Sequence, residues 1–158
     1  MVFRILAVGR VKNRALREAC GDYATRLGRY LRIDIREVRE AHGRMPDGER
    51  VRLEGEAILG MLGPDVRAVA LTRLGESEDS EGLARRVEQW RQAAQDVTFV
   101  VGGASGLDRA VLERAEFRLS LSPLTLPHEI ARLLLLEQLY RACTILRGEP
   151  YHKGQTPR

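Results

Sequence analysis

The chain is poor in the residues that stabilise small secreted proteins or hold structural metal ions. Cysteine occurs only at Cys20 and Cys143, a spacing that fits neither a disulfide framework nor a zinc site. The histidines His42, His128 and His152 lie in separate segments without the spacing of metal ligands. These absences predict a cytoplasmic protein that requires no metal ion.

Long hydrophobic runs are missing as well. No apolar stretch approaches the roughly 18 residues that a membrane-spanning helix requires. The apolar start at residues 2–8 is short and interrupted by Arg4, which is unlike a signal peptide. With 158 residues, of which 44% are hydrophobic and 30% charged, the composition predicts one soluble domain over residues 1–158.

The usual motifs of nucleotide-binding and hydrolytic enzymes are also absent. The glycine-rich stretch Gly102–Gly106 does not fit G-x-G-x-x-G, and no G-x-x-x-x-G-K-[ST] occurs, which argues against a phosphate loop of the ATPase type. Ser105 is followed directly by glycine, so the G-x-S-x-G nucleophile motif is absent too.

Positive charge is concentrated in the N-terminal third of the chain. Residues 1–44 carry 11 Lys or Arg and 5 Asp or Glu, whereas residues 45–158 carry 15 and 17. Such a surplus is typical of proteins that bind polyanions, of which nucleic acid is the commonest. The alternative is a solvated helix face in a chain that uses arginine for 24 of its 26 basic residues. Charge alone leaves both interpretations open.

Hydrophobic periodicity predicts five strands that alternate with five helices. The predicted strands are residues 2–8, 33–38, 66–71, 97–101 and 117–120, and the predicted helices are 14–29, 49–62, 80–94, 108–115 and 127–147. We expect Asn13 and Ser80 as helix N-caps, residues 74–80 as a loop and residues 33–38 as a half-covered or edge strand. The alternation predicts an α/β fold, with helices flanking a mainly parallel sheet.

Three predicted loops follow the carboxyl ends of strands, where parallel sheets bind their ligands. They lie after Leu71, at Gly102–Gly106 and at Leu121–Leu126. Glycine lets a backbone approach a ligand closely, although a tight turn that binds nothing has the same composition. The third loop combines leucines with Pro123 and Pro127, which suits either a flat apolar ring such as adenine or burial in the core.

The last predicted helix is apolar nearly all round. On a helical wheel, one apolar arc of this helix contains Ala131, Leu135, Leu136, Leu139, Ala142, Cys143 and Leu146. Such a helix is either central in a core or shared with a partner, and we predict a two-fold homodimer. Arg132 interrupts this arc. A buried charge requires a carboxylate, carbonyl groups or an anionic ligand, unless the side chain reaches solvent at the helix end.

The C-terminal stretch Tyr151-His152-Lys153 places an aromatic ring, an imidazole and an ammonium group together. Aromatic rings stack on unpaired bases, and cations bind phosphates. A frayed terminus is the alternative interpretation.

Four ordered motifs together resemble the RlmH (YbeA-like) family, the ribosomal RNA large-subunit pseudouridine-N3 methyltransferases of the SPOUT superfamily. The motifs are FVVGGASGL at 99–107, LSLSPLTLPH at 119–128, EQLYRA at 137–142 and GEPYHK at 148–153. With ILAVG at 5–9, the resemblance covers nearly the whole chain. It implies an α/β SPOUT-type methyltransferase with a C-terminal trefoil knot, a rare exception to unknotted topology, and a homodimer.

The resemblance also implies S-adenosylmethionine as methyl donor, bound in the knotted part at about residues 66–153. Carried over by position, the cofactor-binding residues are Leu71, Gly102, Gly103, Leu121, Ser122, Pro123, Leu124, Thr125 and Leu126. They belong to the three loops that chain order alone singled out. No metal ion is implied.

The implied acceptor is N3 of a pseudouridine in the inter-subunit stem-loop of 23S rRNA, presented by the assembled ribosome. N3 attacks the sulfonium methyl group directly, and because the imide proton must leave, a base is needed. We predict His128, Arg132, Tyr151 and His152 as catalytic residues, with either histidine as the base. Neither a membrane nor DNA is an expected partner.

Two features depart from the family pattern. Thr72 and Arg73 stand where an acidic residue is frequent, which argues against a carboxylate contact to the cofactor there. Residues 154–158 continue beyond the usual end of the pattern, and we expect a flexible tail. The alternative functions are a non-enzymatic ribosome-binding or assembly factor that keeps the fold, and a small nucleotide-binding enzyme of flavodoxin-like shape.

Overall fold

The computed structural model describes residues 1–152, which build a five-stranded sheet. The strands are β1 (Phe3–Val8), β2 (Ile33–Val38), β3 (Arg67–Ser77), β4 (Val97–Val101) and β5 (Phe117–Ser120). The helices are α1 (Arg14–Leu27), α2 (Asp47–Met61), α3 (Ser80–Gln92), α4 (Arg109–Arg114) and α5 (His128–Leu146), and a 3-10 helix follows at Pro150–His152. Lys153 and the expected tail at 154–158 lie outside the described residues.

All five strands run parallel, in the order β2-β1-β4-β3-β5. This confirms the predicted α/β class. The alternating pattern of β2 allowed a half-covered or an edge strand, and β2 lies at the edge. β4 lies in the middle of the sheet with all five of its residues buried. A parallel sheet of this kind must be covered on both faces, because its central strands carry apolar side chains on each side. The trefoil knot stays a prediction.

Helices α1, α3 and α5 cover one face of the sheet, and α2 and α4 cover the other. The larger core centres on Phe3, Trp90 and Phe99, whose ring centroids lie 5.6–6.2 Å apart. The smaller core packs Ile58 of α2 and Val111 of α4 against β1 and β4. The odd-numbered residues of β1 therefore face α1, α3 and α5, since successive strand side chains point to opposite faces.

Helix α5 packs between α1 and α3. Its fully buried residues are Arg132, Leu135, Leu136, Leu139, Ala142, Cys143 and Thr144. This face agrees with most of the predicted arc and places α5 centrally in the core. Ile130 stays 37% exposed, and several other residues of α5 are half-buried. Within residues 1–152, no helix combines the length and the apolar character needed to cross a membrane.

Strand β3 is longer than its sequence pattern predicts. It continues to Ser77, so that most of the expected loop at 74–80 is strand. Its pairing with β5 shifts register between Leu71 and Glu76, and residues 72–75 bulge out of the ladder. A β-bulge bends the strand locally, and here Thr72 and Arg73 of the bulge line a cavity.

The two predicted helix caps have different outcomes. Asn13 caps α1 and accepts a hydrogen bond from the amide of Leu16 at 3.1 Å, as predicted. The cap of α3 is Asp79 rather than Ser80, and its carboxylate accepts from the amide of Gly82. Ser80 lies within the helix, where its hydroxyl donates to Gln138 of α5 at 3.1 Å. The prediction was wrong by one residue because aspartate caps as well as serine does.

Candidate active site

A cavity of about 390 Å³ opens at the carboxyl edge of the sheet, and we call it the central cavity. It is lined by the bulge after Leu71, by the glycine turn at Gly102–Gly106 and by the leucine loop at Leu121–Leu126. The three loops meet because the carboxyl ends of parallel strands lie at the same edge of a sheet. The volume lies within the range of roughly 300–1,000 Å³ that small-molecule sites occupy.

Most of the residues singled out from the sequence as cofactor-binding line this cavity. They are Leu71, Gly102, Gly103, Leu121, Ser122, Leu124, Thr125 and Leu126. Pro123 lies in the same loop but is not part of the lining. Leu112 of α4 and Ala131 of α5 also line the cavity, and sequence reasoning missed them because their positions depend on how the two helices pack.

The glycine turn owes its composition to its own geometry. A Cβ atom at residue 102 would lie 2.7 Å from the carbonyl oxygen of Gly106, closer than any real contact. The amide of Gly106 donates to the carbonyl of Gly103 at 3.1 Å, and Gly106 has a φ of +87°. The tight turn is therefore the reason for Gly102 and Gly106, while the same backbone forms a wall of the central cavity.

Helix α2 supports the glycine turn from behind. The Glu54 carboxylate is 3% exposed and accepts the Ala41 amide at 3.0 Å. A Cβ atom at Gly103 would lie 2.9 Å from its other oxygen. One turn earlier, the guanidinium of Arg50 donates to the hydroxyl of Ser105. Sequence reasoning missed both side chains, although their i,i+4 spacing on one helix face was visible.

The leucine loop offers apolar side chains and free backbone groups together. The Ser122 hydroxyl accepts the Leu124 amide at 3.0 Å, which closes a small turn. Leu124 is 72% exposed. The amides of Thr125 and Leu126 have no hydrogen-bond partner among residues 1–152. A flat apolar ring with polar edges could bind against such a loop, because leucines cover its faces and amides meet its edge.

Helix α5 begins at the central cavity. His128 lines the cavity, and the next residue, Glu129, accepts the backbone amides of Lys12 at 2.7 Å and Asn13 at 3.4 Å. Both hydrogen bonds lower the pKa of Glu129 below its ordinary value of 4.5, and the bond from the Lys12 amide contributes most. Glu129 thus ties the first turn of α5 to the basic segment that precedes α1.

We expect Glu129→Gln to destabilise the protein at neutral pH and to have a much smaller effect in acid. A carboxylate whose pKa is lower in the folded than in the unfolded chain stabilises the fold above the unfolded value, here 4.5. That contribution is lost as the pH falls through the folded pKa. Urea denaturation of wild type and variant at pH 7 and at about pH 3 measures the difference in their free energies of unfolding. The same difference at both pH values would contradict this role.

Arg132 lies outside the lining of the central cavity. Its side chain is 4% exposed, and its guanidinium donates to the Glu37 carboxylate at 2.6 Å and to the Gly9 carbonyl at 2.7 Å. The compensation that its burial required is therefore a carboxylate and a carbonyl group, and the side chain does not reach solvent. The catalytic role of Arg132 stays a prediction.

Tyr151 also lies away from the central cavity of its own chain. Its hydroxyl donates to Glu137 at 3.1 Å and lies 3.1 Å from the hydroxyl of Tyr23, and its ring packs 4.7 Å from that of Tyr140. Burial, together with the Tyr23 hydroxyl and the Glu137 carboxylate, raises the pKa of Tyr151. The side chain of His152 lies outside the described part of the chain.

No group of three or more His, Cys, Asp or Glu side chains in residues 1–152 is arranged to hold a metal ion. The polar side chains that line the central cavity are the hydroxyls of Thr72, Ser105, Ser122 and Thr125, the guanidinium of Arg73 and the imidazole of His128, beside backbone and apolar side chains.

Solved structures share this fold. A methylase family protein from Haemophilus influenzae, described as probable, superposes with a TM-score of 0.55 and 14% identity, covering 98% of this chain and 72% of that one. A structure described as a probable methyltransferase from Bordetella pertussis gives a TM-score of 0.54 and 21% identity, covering 90% and 93%. At these identities the likeness concerns the fold.

Sequence comparison gives the family. A family model described as "Predicted SPOUT methyltransferase" matches residues 1–152. Ribosomal RNA large subunit methyltransferase H of an Anaeromyxobacter species (strain Fw109-5) is 48% identical over 153 residues, which cover 97% of this chain and 100% of that protein. The protein of the same name from Gemmatimonas aurantiaca is 47% identical over 150 residues, covering 94% and 97%. The chain therefore belongs to the SPOUT methyltransferases and, within them, to the family of ribosomal RNA large subunit methyltransferase H.

Proposed function

We propose that this methyltransferase transfers a methyl group from S-adenosylmethionine to N3 of a pseudouridine in 23S rRNA, in the inter-subunit stem-loop of the assembled ribosome. The name of its relatives supports ribosomal RNA as the substrate. The observation that carries the proposal is the central cavity, in which the glycine turn and the leucine loop lie side by side at the carboxyl edge of the sheet.

The residues present fit the methyl donor. Leucines of the loop supply apolar surface for the adenine ring, and the amides of Thr125 and Leu126 are available to its polar edge. The cavity of about 390 Å³ is large enough for a ligand of this class. When bound, the donor supplies an electrophilic sulfonium methyl group. We assign its binding to Leu71, Gly102, Gly103 and the loop 121–126, in which Pro123 restricts the backbone.

The chain's own residues would orient the acceptor and remove its proton. His128 stands at the cavity wall, at the start of α5, where an imidazole could accept the imide proton of N3. Because Tyr151 lies outside the cavity of its own protomer, we propose that the C-terminal stretch with Tyr151 and His152 acts across the interface of a homodimer. Arg132 would then orient the acceptor from beside the cavity.

The proposed partners follow from charge and from the helix arrangement. Residues 1–44 carry the basic surplus that suits ribosomal RNA. The half-buried outer face of α5, which includes Ile130, suits a two-fold contact with a second copy. Since the substrate is the ribosome, we place the enzyme in the cytoplasm. No residue proposed for the reaction requires a metal ion.

Two measurements test this function. Isothermal titration calorimetry should detect binding of S-adenosylmethionine to the protein, and binding absent at millimolar donor would exclude the assigned cavity. Labelled methyl groups should be transferred to ribosomes from a strain that lacks the modification, and mass spectrometry should place the label on N3 of a pseudouridine. Ribosomes that bind the protein but take up no label would instead indicate a non-enzymatic ribosome-binding factor.

A further inference from the structure

A second cavity of about 360 Å³ lies beside the central one, and we call it the basic cavity. Its lining includes the charged side chains Arg10, Arg17, Glu37 and Arg132, together with Cys20 of α1 and Ile35 of β2. Three arginines therefore face one carboxylate. The cavity lies on the α1 side of the sheet, next to the exposed edge strand β2.

Arg132 is the buried member of this group. It is 3% exposed, and although its two terminal nitrogens bond to Glu37 and Gly9, its Nε has no partner among the described residues. A buried guanidinium nitrogen without an acceptor is costly in free energy. Because this nitrogen is itself buried, Arg132 contributes positive charge beneath the basic cavity rather than a donor that an anion in the cavity could reach.

The other two arginines keep most of their hydrogen-bonding capacity. The side chain of Arg10 is 89% exposed and lies 3.9 Å from Glu37, beyond hydrogen-bonding distance. Arg17 makes one long bond, at 3.4 Å, to the carbonyl of Val11. The planar fork of a guanidinium matches the oxygens of a phosphate group, to which it can donate two bonds at once.

The two cavities flank the same turn of α5. Ala131 lines the central cavity, and its neighbour Arg132 lines the basic one. Glu129, in the same turn, holds the backbone of Lys12 and so fixes the segment that carries Arg10. One turn of α5 therefore contributes to both cavities.

We propose that the basic cavity binds a phosphate group of the RNA backbone next to the target nucleotide, and that Arg10 and Arg17 are its ligands, with the charge of Arg132 buried behind them. The inference rests on the proposed function, because it takes the central cavity as the place of methyl transfer. It accounts for the free donors of Arg10 and Arg17 and for the basic surplus at the start of the chain.

The test compares Arg10→Gln, Arg17→Gln and the double variant with Arg109→Gln. Arg109 is a matched control, because its side chain is 90% exposed and it lies on α4, across the sheet. Binding to unmodified ribosomes is measured at a series of KCl concentrations. A lost phosphate contact lowers the slope of log K against log salt by about 0.7–0.9. We expect that decrease for each cavity arginine and none for Arg109→Gln.

Steady-state kinetics and the oligomeric state complete the test. We expect the double variant to raise the KM for ribosomes about 10-fold while kcat and the affinity for S-adenosylmethionine stay near wild type. Arg17→Lys should retain the salt slope, because the charge remains. Unchanged slopes in the double variant would overturn the proposal, as would a double variant that dissociates the homodimer in gel filtration. If wild-type protein fails to bind the donor or to methylate ribosomes, the proposed function itself is wrong.

Discussion

Replacing Gly102 with alanine should reduce methyl transfer at least about 100-fold, which is the size of loss that a displacement of about 1 Å at a reacting centre can cause. The added Cβ would lie 2.7 Å from the carbonyl oxygen and 2.8 Å from the carbonyl carbon of Gly106. Both are backbone atoms, so the whole glycine turn must move rather than one flexible side chain. Since that turn is a wall of the central cavity, we expect the surface that we propose for the donor to be displaced.

The measurements are the methyl-transfer rate, donor affinity by calorimetry, and stability by urea denaturation. We expect Gly102→Ala to cost about 1–3 kcal/mol of stability through overpacking. Gly60→Ala is the control, because no heavy atom lies within 4 Å of its added Cβ in α2. Alanine favours a helix over glycine by up to about 1 kcal/mol, so this variant should be at least as stable as wild type and fully active. Wild-type donor affinity in Gly102→Ala would contradict our assignment of the turn.

The second large effect is expected at the ion pair of Arg132 and Glu37. Arg132→Met keeps the apolar stem but leaves the Gly9 carbonyl and the Glu37 carboxylate without their donor. Breaking a fully buried pair costs about 3–5 kcal/mol. Because the side chain of Glu37 is 33% exposed and water can solvate it, we expect about 2 kcal/mol.

A double-mutant cycle separates the ion pair from the packing of Arg132. We expect Glu37→Gln to cost less than Arg132→Met, because glutamine still offers a carbonyl oxygen to the guanidinium. The two substitutions together should cost less than the sum of the single effects, with a coupling of about 1 kcal/mol. Strictly additive free energies of unfolding would show that the pair contributes nothing to stability.

Local patterns in the sequence were sufficient to predict the elements of the fold. The five strands and five helices follow from hydrophobic periodicity, and the alternation in Ile33–Val38 allowed the edge position that β2 takes. The extension of β3 to Ser77 could not be predicted in this way. The extension depends on pairing with β5, which lies about 45 positions further along the chain. The register of that pairing shifts at the bulge, and local sequence patterns do not set it.

Part of the candidate site could likewise be predicted from the sequence, and part could not. Chain order predicted which three loops meet, and they line one cavity, because topology alone places the carboxyl ends of parallel strands together. The support that Arg50 and Glu54 give to the glycine turn was not predictable, since it arises from how α2 docks on the sheet. The functional roles of the lining residues stay predictions until the variants are measured.

The sequence by itself determined the α/β class, the order of the elements and the loops that could form a site, because these depend on periodicity and on neighbours along the chain. Only the tertiary structure decided how the buried guanidinium of Arg132 and the hydroxyl of Tyr151 are compensated. The partners of Arg132 lie 95 and 123 positions away, and Tyr151 meets Tyr23 across 128 positions. Electrostatic and hydrogen-bond energies depend on distances in space, which residue spacing in the sequence does not encode.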